Sequence, residues 1–103
     1  MNTDEQVRLL DDLQGLLEKQ IEKARRSDLR LVEALAAQAD SIVARIVETK
    51  ALESTDFDGR REHLTGLYKK LELILATGKE AVGKQLRQVG SGRRTLQAYR
   101  NSG

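Results

Sequence analysis

Apolar residues recur at alternating steps of three and four along three long segments of this chain, and no Pro interrupts them. This spacing places the apolar side chains on one face of an α-helix, because the helix repeats every 3.6 residues. Only 3% of the residues are aromatic, so Leu, Ile, Val and Ala must build the core, and they fill narrow seams between helices well. The pattern predicts an all-α protein: an elongated three-helix antiparallel bundle or coiled coil with a flexible C-terminal tail.

The limits of the apolar stripes divide the chain into a bundle and a tail. We expect helices at about 3–26, 28–52 and 59–89, which together make a helical bundle domain over residues 1–89. The segment 90–103 keeps only two apolar anchors, too few for independent stability. It is therefore predicted to be a flexible or conditionally helical tail.

Two helix boundaries leave alternatives open. Ser27 or Asp28 can cap the second helix, although no obligate breaker separates it from the first. A third helix of some 30 residues would be about 45 Å long, whereas the first two would reach only about 36 Å. The third helix therefore either overhangs its partners or breaks near Gly78 or Gly83.

The net charge of +2 conceals an uneven distribution along the chain. Residues 1–58 carry 8 Lys and Arg against 13 Asp and Glu, a net −5, whereas residues 59–103 carry 10 against 3, a net +7. Two interpretations follow. Either the acidic front half packs along the basic back half, or the back half meets an acidic partner.

The residues that could carry catalysis do not form a known constellation. His63 lacks the Lys three positions later that is typical of phosphotransfer domains, and the adjacent Asp11 and Asp12 diverge across a helix surface. The Gly90–Gly92 segment follows a helix and lacks the Lys-Ser/Thr of a phosphate-binding loop. No Cys is present, which excludes thiolate metal sites. We predict that the chain is not an enzyme and uses no metal or cofactor.

The hydropathy of the chain and its first residues indicate where in the cell the protein is located. No apolar run approaches the roughly 20 residues that a membrane span requires. The opening MNTDEQVRLLDDL is acidic, unlike the basic start of a secretory signal. We therefore expect a soluble cytoplasmic protein.

The remaining feature is apolar surface that three helices would leave uncovered. A further amphipathic helix could fill the groove between them, and self-association into a homodimer would bury the same residues. The sequence does not separate these two outcomes. The candidate partner-binding residues lie on the third helix and in the tail: Leu67, Leu71, Ile74, Val82, Leu86, Leu96 and Tyr99.

The layout of the helices resembles that of the FlgN-type flagellar export chaperones. The run LLEKQIEKARRSDLRLVEALAAQADSIVARI is similar to their first hairpin, in which Asp28-Leu29, followed by Val32, opens the second helix. The run LTGLYKKLELILATGKEAVGKQLRQV is similar to their long C-terminal helix. The ending GRRTLQAYRNSG resembles their Gly-basic stretch before a near-terminal Tyr. The related FliT type fits nearly as well.

The resemblance implies a bacterial type III secretion chaperone in the cytoplasm. Such chaperones bind the amphipathic C-terminal helices of late flagellar substrates, which are hook-filament junction proteins or the filament cap, and deliver them to the export gate. Tyr99 matches the Tyr that docks on the cytoplasmic domain of the gate.

Two other functions remain as alternatives. The first is a structural coiled-coil oligomer without a client. The second is a nucleic-acid-binding helical module, because phosphate contacts need only basic side chains. A basic cluster that could make such contacts consists of Lys79, Lys84, Arg87, Arg93, Arg94 and Arg100. Stacking on bases needs aromatic residues, and only Tyr99 is available near this cluster, which disfavours nucleic acid.

Overall fold

The computed structural model describes residues 3–78 and 83–98, and within these ranges it contains helices and no strand. The all-α class is therefore confirmed. The molecule measures 43 × 23 × 18 Å along its principal axes. The α-helices are α1 (Thr3–Arg25), α2 (Leu29–Glu48), α3 (Asp58–Thr77) and α4 (Gly83–Ala98), and two 3₁₀ turns, Ala51–Glu53 and Thr55–Phe57, lie between α2 and α3.

The described chain has four helices, so the expected three-helix bundle is not confirmed. The segment predicted as one helix over 59–89 contains the end of α3 and the start of α4. Gly78 ends α3 in an extended conformation, with φ −69° and ψ 159°, so the break near this glycine is the alternative that the structure supports. The predicted tail also differs, because residues 90–98 continue α4 through Gly90–Gly92.

A short turn joins α1 to α2 as an antiparallel hairpin. Ser27 takes the left-handed conformation, with φ 58°, which reverses the chain. The Asp28 carboxylate then accepts a hydrogen bond from the Leu31 backbone N–H. This is an N-cap, and it satisfies one of the donors that the first turn of a helix leaves free. Asp28 is therefore the capping residue of the two that the sequence suggested.

The four helices are arranged as two hairpins side by side. α1 packs on α2 and α3, and α4 packs on α3 and α2. Arg60, at the start of α3, pairs with Asp11 near the start of α1, at 2.6 Å. Lys84, at the start of α4, pairs with Glu33 near the start of α2, at 3.1 Å. Both pairs join the acidic front half to the basic back half, as the first interpretation of the charge asymmetry expects.

The link between the hairpins is held by one buried arginine. Lys50 turns the chain in the left-handed conformation, with φ 63°. Arg61 is 7% exposed and donates to the Leu52 carbonyl oxygen at 2.8 Å, and its Nη2 lies 2.8 Å from Asp58 Oδ1. A buried guanidinium with two acceptors fixes the geometry of this link, because each charge-assisted hydrogen bond is stronger than a neutral one.

The core is a single apolar cluster to which every helix contributes. Burial of each aliphatic side chain stabilises the fold by about 1.5–3 kcal/mol. The apolar side chains with 2% exposure or less are Leu10, Leu13, Leu17, Val32, Ala39, Ile46, Ala51, Leu52, Leu64, Tyr68, Leu71, Val89 and Leu96.

Candidate functional site

The groove that the sequence predicts between the second and third helices is occupied by the chain's own fourth helix. α4 packs on both α2 and α3, so it lies where a partner helix was expected. We use the name α4 seat for the surface on α2 and α3 that receives it. Its polar and aromatic residues are Glu33 and Asp40 of α2 and Tyr68 and Glu72 of α3.

Two polar side chains of α4 reach the α2 side of the seat. Lys84 Nζ lies 3.1 Å from Glu33 Oε1, and Gln88 Nε2 donates to Asp40 Oδ2 at 3.2 Å. Positions four apart share one face of a helix, so a single face of α4 makes both contacts. The Lys84 side chain is 72% exposed, and an ion pair in that setting contributes at most about 1 kcal/mol.

On the α3 side of the seat, Gly92 packs directly against Tyr68. A Cβ built on Gly92 would lie 2.6 Å from the Tyr68 hydroxyl oxygen and 2.7 Å from Cζ. Tyr68 is 2% exposed, so neighbouring atoms enclose its ring. Gly92 therefore permits an approach of α4 to α3 that a side chain at this position would prevent.

An ion pair lies one residue beyond this contact. Arg93 Nε donates to Glu72 Oε1, and the two side chains are 23% and 24% exposed. Arg93 also donates from Nη1 to Gln97 on its own helix. A partly buried, hydrogen-bonded pair is screened less by salt than a surface pair. Of the two ion pairs that join α4 to its seat, this one is the less exposed.

Desolvation shifts the pKa of two titratable groups of the seat, the buried Tyr68 and the still exposed Asp40. Desolvation raises the pKa of Asp40 above its ordinary value, while the hydrogen bond from Gln88 opposes the rise. Desolvation also raises the pKa of Tyr68, with a further contribution from the charge of Asp40. The Tyr68 hydroxyl and Gln88 Oε1 are buried without a hydrogen-bond partner among the described residues. Each such atom costs about 1–3 kcal/mol, so the seat is not fully satisfied by α4.

An open groove runs along the α2 side of α4. It has a volume of about 390 Å³ and is lined by Asp40, Val43, Ala44, Val47, Ser91, Gly92 and Thr95. A second groove, of about 230 Å³, lies along α3 and has Leu96 as its α4 residue. α4 therefore leaves part of the α2 side of its seat uncovered.

The predicted partner-binding residues fall into three groups. Leu71 and Leu96 are fully buried in the core, so neither is accessible while α4 is docked. Leu67, Ile74 and Leu86 are half-buried and pack against the same core. Val82 and Tyr99 lie outside the described residues. The structure thus brings five of the seven into one cluster, as core residues rather than as an open groove.

The sequence reasoning missed the polar part of the seat. Glu33, Asp40 and Glu72 were not singled out, because a helical period does not show which charges meet across an interface. Gly92 was assigned to the tail. The signal that could have found it is a glycine between Val89 and Leu96 on one amphipathic face, since a small residue on that face lets a neighbouring helix approach closely.

The residues that could serve catalysis, metal binding or membrane insertion are placed as follows. Among residues 3–78 and 83–98 no group of three or more His, Cys, Asp and Glu side chains is placed to hold a metal ion. His63 is exposed on α3, and Asp11 pairs with Arg60. None of the helices in the described ranges has the length and apolar content that crossing a bilayer requires.

Comparison of the chain with protein-family models, with curated proteins and with solved structures gave no match.

Proposed function

We propose that this chain is a flagellar export chaperone that binds the amphipathic C-terminal helix of a late flagellar substrate in the α4 seat. The observation that carries the proposal is the occupation of this seat by a weakly apolar helix of the chain itself. α2 and α3 present a surface that takes one helix, and the client helix replaces α4 there. Binding of a helix in a groove of this kind is a common mode of peptide recognition.

The composition of α4 supports its replacement. Only two of its apolar side chains, Val89 and Leu96, are fully buried, and together they contribute about 3–6 kcal/mol. The two interior glycines, Gly90 and Gly92, cost about 2 kcal/mol relative to alanines. In contrast, α1 buries six apolar side chains in the same core. Undocking of α4 is therefore the least costly way to expose apolar surface.

The family resemblance supplies the identity of the client. It implies hook-filament junction proteins for the FlgN type and the filament cap for the FliT type, with delivery to the export gate through Tyr99 in the cytoplasm. A client helix with three or four large apolar side chains would bury more apolar area in the seat than α4 does, and exchange would then be favourable.

The experiment measures binding of labelled C-terminal helices from junction and cap proteins by fluorescence anisotropy. We expect a dissociation constant in the micromolar range or below, and a tighter one for Gly92→Ala, which weakens the docking of α4. The steric cost of about 1–3 kcal/mol, less the roughly 1 kcal/mol of helix propensity gained, weakens the docking of α4 by up to about 2 kcal/mol. The apparent affinity of a client then rises by up to about 30-fold when α4 must leave first. Absence of binding to both proteins would refute the proposal. A stable dimer in light scattering without peptide binding would favour a structural coiled-coil oligomer instead.

A further inference from the structure

The α4 seat carries acidic residues that polar side chains of α4 contact, two of them with a cation (Lys84 and Arg93) and one with a neutral amide (Gln88). Glu33, Asp40 and Glu72 each receive a hydrogen-bond donor from α4. α4 itself has four basic residues and no acidic one over Gly83–Ala98. When α4 leaves its seat, these three side chains lose those donors. A helix that takes its place must supply donors in their stead or leave acidic groups covered and unpaired.

The cost of an unpaired acid is highest at Glu72. Its side chain is 24% exposed, and a covering client helix would remove part of the remaining water. Burying a carboxylate without a cation or donor is strongly unfavourable. A neutral or acidic helix is therefore penalised at this position, whereas a basic helix is not, and a penalty of this kind is a source of specificity.

Tyr68 adds a steric condition next to the electrostatic one. The position on α4 that faces its ring holds Gly92, and even one Cβ there would lie within 3 Å of three ring or hydroxyl atoms. Arg93, which reaches Glu72, is the next residue. Val89 and Leu96, three before and four after the glycine, are the buried apolar residues. Small, basic and apolar positions thus have a fixed register along the helix.

On the basis of the proposed function, we infer that the client is a basic amphipathic helix that reproduces this register. It places a small residue against Tyr68 and an Arg or Lys directly after it against Glu72. Apolar residues stand three positions before and four positions after the small one. The small residue, the cation and the apolar pair decide which helices the seat accepts, while apolar area alone does not.

The test uses the full chain and two peptides that span residues 83–98, both with Gly90→Ala to favour the helix. One peptide keeps Arg93, and the other carries Arg93→Glu. These peptides are added to variants of the full chain. In the Gly92→Ala variant α4 docks weakly and Glu72 is present. In the Glu72→Arg variant Arg93 of the chain's own α4 is repelled. The matched control is Gly92→Ala combined with Glu18→Arg on α1, which changes the net charge equally on a helix that is not part of the seat.

We expect the Gly92→Ala chain and its Glu18→Arg control to prefer the Arg93 peptide about tenfold, as one charge-assisted hydrogen bond implies. The Glu72→Arg chain should reverse that preference, and added salt should reduce both differences. Equal binding of the two peptides to all chains would overturn the inference and leave the proposed function standing. Binding of neither peptide, nor of any junction or cap helix, would overturn both.

Discussion

The contact between Gly92 and Tyr68 gives the sharpest prediction about stability. In Gly92→Ala the new Cβ would overlap the ring of Tyr68, at 2.6–2.8 Å from three of its atoms. Overpacking of a core by one methyl group costs about 1–3 kcal/mol. The substitution also removes a glycine from a helix interior, which stabilises by about 1 kcal/mol. The net change in the free energy of unfolding therefore combines two opposite effects and does not by itself give the steric cost.

A second glycine of the same helix isolates the steric part. A Cβ on Gly90 would lie 3.2 Å from Arg94 Nη1 and 4.0 Å from Glu72 Oε2. The Glu72 distance is an ordinary van der Waals contact, and Arg94 is exposed, so its side chain can move. Gly90→Ala therefore gains helix propensity at little steric cost. Because the propensity gain is common to both variants, Gly92→Ala should be less stable than Gly90→Ala by about 1–3 kcal/mol.

Urea denaturation followed by circular dichroism measures this difference, and hydrogen exchange of the α4 amides shows where it acts. We expect faster exchange in α4 for Gly92→Ala, with the amides of α1 much less affected. If Gly92→Ala proved as stable as Gly90→Ala, with equal protection of α4, the close packing of α4 on Tyr68 would be wrong.

Three further substitutions test other parts of the structure. Gln20 is 1% exposed with Oε1 unpaired, and its Nε2 donates to the Val32 carbonyl oxygen at 3.2 Å. Gln20→Met removes the unpaired oxygen, which costs about 1–3 kcal/mol, and the hydrogen bond, which contributes about 0.5–1.5 kcal/mol, so it should raise the free energy of unfolding by about 1 kcal/mol; a lower value in urea denaturation would contradict this. Arg61→Ala should lower it by about 1.5–3 kcal/mol, because the buried Leu52 carbonyl loses its charged donor, and an unchanged midpoint would argue against the arginine-held link. The pKa of Asp40 is raised in the folded state, so the folded protein binds the proton more tightly than the unfolded chain does. The contribution of Asp40 to the free energy of unfolding therefore falls as the pH rises from the unfolded-state pKa through the folded-state pKa. Asp40→Asn should therefore be at least as stable as the natural chain at neutral pH, with the advantage disappearing as the pH falls below the unfolded-state pKa of about 3.8, where the carboxyl is protonated in both states; an advantage that grows on acidification would refute the sign.

Much of the fold follows from local features that the sequence displays. The 3.6-residue period of apolar side chains identifies the helices, because each helix must bury one face. Asp28 as a cap and Gly78 as a break act within a few residues of their own position, so the sequence offered each as one of its alternatives, and the structure selected them. The apolar pattern selected Leu71 and Leu96 as partner-binding residues, and the structure places both in the core, because the period shows that a side chain is apolar but not which surface covers it.

The tertiary structure decided what the local pattern leaves open. The Gly90–Gly92 segment has weak helix propensity, which favoured a tail, yet α4 forms because its backbone packs closely on Tyr68 and its cations meet Glu33 and Glu72. These are contacts between residues far apart in the chain, and a sequence period carries no information about which surfaces meet. By itself the sequence determined that helices form and which of their faces are apolar. Only the packing decided that α4 covers α2 and α3, because that outcome depends on the shape and charge of a surface assembled from separate helices.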